Sequence, residues 1–199
     1  MSAAAIAGEA RPRLLRPATH ARGATRGGRT WLRTARPDDA GALEDLIGRH
    51  AAAARLLPRH ADELAAHAAR FVVAVGGQRI RGCAELAPLG PSLAEVRSFV
   101  VDHDERGRGT GRAMMHEVVR RGRHAGFTRL CAFSHAPGFF MHLGFSLVPH
   151  VWLPEKISLD CASCAVFRRC GQSPLLMPLT DPSAHADHAG ASTEHEDRG

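Results

Sequence analysis

The 199 residues contain no tyrosine, so no phenolic hydroxyl is at hand for proton transfer. Lysine is nearly absent: Lys156 stands alone against 25 Arg. A nucleotide-binding loop ending Gly-Lys-Ser/Thr is thereby excluded, since no Lys follows any glycine-rich stretch. No run of about 18 apolar residues occurs, and no membrane span is expected. The five cysteines follow no signal-peptide-like apolar stretch, which argues against a secreted disulfide framework and for the cytoplasm.

The composition that remains is ordinary, with 44% apolar residues, enough for one domain with a full core. The net charge of +6 and pI near 9.9 invite a nucleic-acid reading. The distribution of charge removes it: residues 1–36 hold eight Arg and a single acid, Glu9, so the remainder is close to neutral. No specific nucleic-acid partner is expected. Residues 1–29 show no apolar periodicity and read as a disordered, Arg-rich extension. Residues 180–199 are small, polar and acidic and read as a disordered tail, leaving a domain at 30–179.

Within that domain the expected order is β-α-α-β-β-β-α-β-α-β. Trp31 to Ala35 starts it as a strand. Ala42, Leu43, Leu46 and Ile47 mark the apolar stripe of a helix over about 39–50, and a second helix covers about 61–69. Phe71–Val75 and Ile80–Leu86 form a hairpin around Gly76-Gly77. A strand over about 93–101 leads into a glycine-rich turn, and a helix runs from about 110 to 125. In that helix Ala113, Met114, Val118 and Val119 are expected to face the sheet, with Arg120, Arg121 and Arg123 toward solvent. Leu130–Ser134 is a further strand, Gly138–Leu143 a short helix, and Phe145–Val148, extending to Leu153 at most, the last strand.

The stretch from Leu93 to Gly111 organises the rest. Its strand ends at Val101, and Arg106-Gly107-Arg108-Gly109-Thr110-Gly111 opens a helix at Arg112. Strand, glycine turn and helix N-terminus together make an anion site, because backbone N–H groups converge there and the helix dipole adds positive character. The spacing is not that of a dinucleotide fingerprint: the glycines run G-x-G-x-G, and residues near 130 are Arg129-Leu130-Cys131 rather than acidic.

Three segments carry a family resemblance: the Arg-x-x-Gly-x-Gly loop, Phe139-Phe140-Met141-His142-Leu143-Gly144-Phe145, and Ala94-Glu95-Val96-Arg97-Ser98. The chain resembles the GNAT superfamily of N-acetyltransferases. Over about residues 31–179 it is similar to the short bacterial N-acetylglutamate synthases, including Leu56-Leu57-Pro58-Arg59 and the segment from Pro154 to Cys170. The resemblance implies an α/β (α+β) GNAT fold, a mixed central sheet with helices on both faces. It implies acetyl-CoA as co-substrate and transfer of acetyl to the amino group of glutamate, the first step of arginine biosynthesis. Acetylation of another small amine or a protein N-terminus, and a non-catalytic acyl-CoA-binding module, are the alternatives. The expected partners are a small amino-acid substrate and, for assembly, a second copy in a homodimer.

Residue roles follow from that resemblance and from chemistry. Phe99, Val100 and Val101 would lie along pantetheine, with Phe140 beside the CoA arm. Arg106, Gly107, Arg108, Gly109, Thr110, Gly111 and Arg112 would hold pyrophosphate, the arginines adding charge-assisted bonds. The backbone N–H of Val101 would stabilise an oxyanion. Glu85 and Glu95 are the candidate proton acceptors. In strict alternation Glu95, Arg97 and Phe99 share one strand face, and Arg97, with Arg59, would bind acceptor carboxylate. Position 140, where many relatives carry a proton-donating Tyr, is Phe here, so Ser134, His135 or water would protonate the leaving thiolate. His135 would also help to hold the substrate. Cys161-x2-Cys164-x5-Cys170 forms a C-terminal flap over 154–179; zinc there would need a fourth ligand such as His150.

Overall fold

The structure is a computed structural model that describes residues 30–54, 57–164 and 167–180. The Arg-rich extension, Leu56 and the tail from residue 181 lie outside the described residues. The strands are β1 (Thr30–Thr34), β2 (Phe71–Gly76), β3 (Arg79–Pro88), β4 (Leu93–Val101), β5 (Arg129–Ser134), β6 (Ser146–Leu147) and β7 (Ser173–Pro178). The helices are α1 (Ala40–Ala54), α2 (Ala61–Ala66), α3 (Thr110–His124), α4 (Gly138–Met141) and α5 (Pro154–Lys156), the last continued by a π-helical turn, Ile157–Cys161. The strands form one mixed sheet in the order β1-β2-β3-β4-β5-β7-β6. Its β4–β5 pair is parallel, and β1–β2, β5–β7 and β6–β7 are antiparallel.

Two compact units divide the chain, one with residues up to 84 and 100–114, the other with 85–99 and from 115 onward. In the first, Leu43, Leu46 and Ile47 recur at helical spacing on α1, while Phe71, Val73 and Val75 recur at every second residue of β2. Both stripes join Leu64, Cys83 and Val100 in one buried cluster. Each large aliphatic side chain there contributes about 1.5–3 kcal/mol through burial. A bidentate pair closes the entry to α1: Arg33 donates from Nη1 to Asp39 Oδ2 at 2.5 Å and from Nη2 to Oδ1 at 2.8 Å.

In the second unit Leu89, Leu93, Cys131 and Leu153 form the core, with Phe133, Val148 and Leu176 packed on it. Three expectations need correction. The strand expected over Phe145–Val148 is β6, Ser146–Leu147 alone, because Pro149 turns the chain into a 3₁₀ turn over His150–Trp152. The C-terminal segment is not only a flap: Ser173–Pro178 is a full strand, hydrogen-bonded between β5 and β6. Arg121 does not face solvent but is buried, its Nε donating to Glu117 Oε1 at 2.8 Å.

Candidate functional site

The anion loop belongs to the first unit. Gly107 and Gly109 both take left-handed backbone conformations, with φ of 73° and 83°. A Cβ at either would meet nothing within 4 Å, so it is the backbone conformation that selects glycine there. Arg106, Arg108 and Arg112 are exposed. Glu105 lies buried beneath the loop, accepts a hydrogen bond from Thr110 Oγ1 at 3.0 Å and faces Arg108 Nη1 at 3.9 Å. Ala113 N–H donates to Gly109 O at 2.9 Å, which starts α3 directly on the glycine turn. Left-handed glycines, a helix N-terminus and three exposed guanidinium groups suit a diphosphate.

The strand before the loop is held firmly. Asp102 N–H donates to Arg81 O on β3 at 2.7 Å. Amides alternate along a strand, so the N–H of Val101 is directed away from β3. Arg106 Nε donates to Val101 O at 3.2 Å. Asp102 also accepts the N–H of His103 at 3.2 Å and lies 3.3 Å from Nε2 of the buried His50. Burial raises the Asp102 carboxyl, but the bonds from His50 and the His103 amide outweigh it and hold the group below its ordinary value.

The charged cluster belongs to the second unit. Among the described residues the parallel ladder runs from Leu93↔Arg129 to Val96↔Ala132. Ser98 then takes φ 47°, a left-handed residue inside a strand, and interrupts the alternation expected through Phe99. Glu95 and Arg97 do share a face: Arg97 Nε donates to Glu95 Oε2 at 2.5 Å. Phe99 instead stacks against Phe139 and Phe140, with centroids 5.1 and 5.8 Å away. Phe140 is buried among Phe99, Phe139 and Phe145, whereas Phe139 is exposed.

Glu85 and Glu95 are buried, not parts of a solvated strand face. Two residues that the sequence reading passed over complete the cluster. Lys156 Nζ reaches Glu95 and Asp160 Oδ2, each at 2.8 Å, and sits 5.2 Å from the centroid of Phe133. Arg97 Nη2 donates to Asp160 Oδ2. Burial opposes the charge on Arg97, but Glu95, Asp160 and Glu85 together raise its guanidinium above its ordinary value. Burial, followed by the charge of Glu95, pushes the Cys131 thiol well up, so this cysteine is an inert core residue.

The other expected residues are placed as follows. Arg59, in the first unit, pairs with Glu63 at 2.8 Å, its guanidinium 5.9 Å from the Phe71 ring. Ser134 Oγ accepts the N–H of Ala136 at 3.0 Å, and His135 is exposed, with its ring facing Gly171. His150 packs between Phe133 and Phe167. Among the described residues no group of three or more His, Cys, Asp or Glu is arranged to hold a metal ion, the three flap cysteines included. Among them, too, no helix is long and apolar enough to cross a membrane.

Comparison with known proteins identifies the family and the fold. An N-acetyltransferase of Chlorobaculum tepidum is 27% identical over 150 residues, covering 75% of this chain and 97% of its own. The fold is that of Rv2747 from Mycobacterium tuberculosis, solved in complex with CoA and NLQ, with TM-score 0.65 and 24% identity over 75% of this chain and 99% of that one. N-acetylglutamate synthase from Neisseria gonorrhoeae, complexed with coenzyme A and N-acetyl-glutamate, gives TM-score 0.69 and 23% identity over 78% of this chain and 36% of that one. The sequence pattern of the acetyltransferase (GNAT) family matches residues 30–145, more than half of the length. The chain therefore belongs to the GNAT family and is an N-acetyltransferase that uses acetyl-CoA.

Proposed function

We propose that this enzyme acetylates the α-amino group of an amino acid, L-glutamate foremost, as an N-acetylglutamate synthase of arginine biosynthesis. The observation that carries the reading is the half-buried Arg97 guanidinium, anchored through Nε on Glu95 at 2.5 Å. An arginine fixed in this way presents its remaining N–H groups to a carboxylate in a set direction. The likeness to a synthase that binds coenzyme A and N-acetyl-glutamate supports the same acceptor, over the part of that protein which this chain spans.

Acetyl-CoA supplies an activated thioester; the chain must hold it, orient the amine and move a proton. Gly107 to Gly111, with Arg106, Arg108 and Arg112, hold the diphosphate. The N–H of Val101 stabilises charge on the carbonyl oxygen, and Phe99 and Val100 line the pantetheine path. Phe140 supports that path from below through its packing on Phe99. Both Glu95 oxygens face cations, so Glu95 positions Arg97 and Lys156. Glu85 or Glu95, both buried on neighbouring strands, accepts the proton of the amine, directly or through water. Ser134 or water protonates the departing thiolate, and His135 is a secondary contact for the acceptor. The folded enzyme is assigned to residues 30–179.

A second reading, another small amine as acceptor, has its own support: Asp160 already neutralises Arg97. Incubation with isotopically labelled acetyl-CoA and a mixture of amino acids and polyamines, followed by mass spectrometry, separates the two. Labelled N-acetylglutamate as the dominant product is the expected result. A labelled polyamine or a different amino acid, with glutamate unchanged, overturns the glutamate assignment.

A further inference from the structure

Arg97 and Lys156 come from distant parts of the chain, β4 and the end of α5, yet they share one carboxylate oxygen. Asp160 Oδ2 accepts from Lys156 Nζ at 2.8 Å and also from Arg97 Nη2. A single oxygen bridging two cations marks a spot built for a carboxylate. The four side chains differ in depth. Glu95 is 4% exposed, Lys156 14%, Arg97 29% and Asp160 37%. Glu95 is thus the fixed inner anchor, and it keeps both cations partnered when the outer carboxylate changes. Asp160 is the outermost member, seated in the π-helical turn Ile157–Cys161, a backbone form that recurs at functional sites.

We propose that Arg97 and Lys156 together form the carboxylate subsite of the acceptor, and that Asp160 is its internal occupant, displaced when a carboxylate-bearing acceptor enters. The inference rests on the amino-acid reading above. Exchanging one carboxylate for another leaves the charge of the cluster unchanged. Asp160 moves into water from a half-exposed position, so its desolvation does not oppose the exchange. Its role is competition: a tethered carboxylate at high local concentration raises the acceptor concentration needed to fill the subsite. Lys156, the one lysine of the chain, is thereby a specificity-determining residue that pairs with Arg97.

The test uses glutarate, a dicarboxylate with no amine, so that binding is read apart from turnover. Calorimetry on the full chain, in the presence of CoA, compares the parent with Asp160→Asn, Asp160→Ala and Lys156→Gln. Both Asp160 variants are expected to bind glutarate about tenfold more tightly, and Lys156→Gln about tenfold more weakly, with CoA affinity unchanged in all. Glutarate binding by either Asp160 variant that is equal to the parent or weaker, while CoA affinity is retained, overturns the proposal. So does unchanged binding by Lys156→Gln. Tighter glutarate binding without any acetylation of glutamate would leave the subsite standing and remove the glutamate assignment instead.

Discussion

Lys156 Nζ lies 2.8 Å from both carboxylate oxygens of Glu95, although 61 residues separate the two. Glu95 is almost fully buried, so loss of its cationic partner is costly. Lys156→Met is expected to destabilise the fold by about 2–4 kcal/mol. The half-exposed Asp160, changed to Asn, should cost under about 1 kcal/mol. Urea titration of both variants checks the difference; equal effects would mean that Lys156 does not anchor Glu95.

Gly109 offers a test of the anion loop that is free of steric overlap. Its Cβ position is open, and only φ 83° disfavours a side chain. Gly109→Val should raise the acetyl-CoA KM about tenfold or more, because a β-branched residue resists the left-handed region. Gly109→Asn, which tolerates that region, should do less harm. The acceptor KM is expected to stay constant in both, as read from steady-state kinetics.

Gly82 is required for a different reason. A Cβ there would stand 2.8 Å from Met114 Sδ and 2.9 Å from Val100 O. The methionine can yield, but the carbonyl of β4 cannot. Gly82→Ala is expected to cost about 1–3 kcal/mol by overpacking. It should also weaken acetyl-CoA binding, since Val100 leads directly into Val101. Thermal unfolding combined with CoA titration reads both effects.

Acid should destabilise the fold through identified carboxylates. Burial raises Glu117, yet its bonds to Arg120 and Arg121 leave it below its ordinary value; Arg33 does the same for Asp39, and His50 for Asp102. Depressed folded values mean that the unfolded chain binds more protons. The contribution is complete above the ordinary carboxylate value of about 4 and is lost as pH falls through the folded values. Glu117→Gln should be less stable at neutral pH and should show a shallower acid limb, measured as unfolding free energy against pH.

Much of this architecture is legible in sequence because it rests on local patterns. Arg106 to Gly111 announces the anion loop, and the stripes of α1 and β2 appear at their proper periods. What escaped depends on tertiary partners or on misleading local signals. The segment 173–178 falls within the expected C-terminal flap, and Pro174 and Pro178, which lack a ladder donor, give no strand signal; β7 forms nonetheless, flanked by β5 and β6. No residue type flags Ser98 as left-handed. The contacts of Lys156 and Asp160 with Glu95 and Arg97 join segments about 60 residues apart. Burial of Arg121 did have a signal, Glu117 four residues before it, an ion pair at helical spacing.

The most direct test of the central assignment is thiol release from acetyl-CoA with L-glutamate, compared between the parent and Arg97→Ala. The expected result is glutamate-dependent release by the parent. In the variant, the glutamate KM should rise about 10- to 100-fold with the acetyl-CoA KM unchanged, the size expected for a lost charge-assisted contact. Identical glutamate kinetics in the two proteins, or no release with glutamate by a parent that turns over another amine, would contradict it.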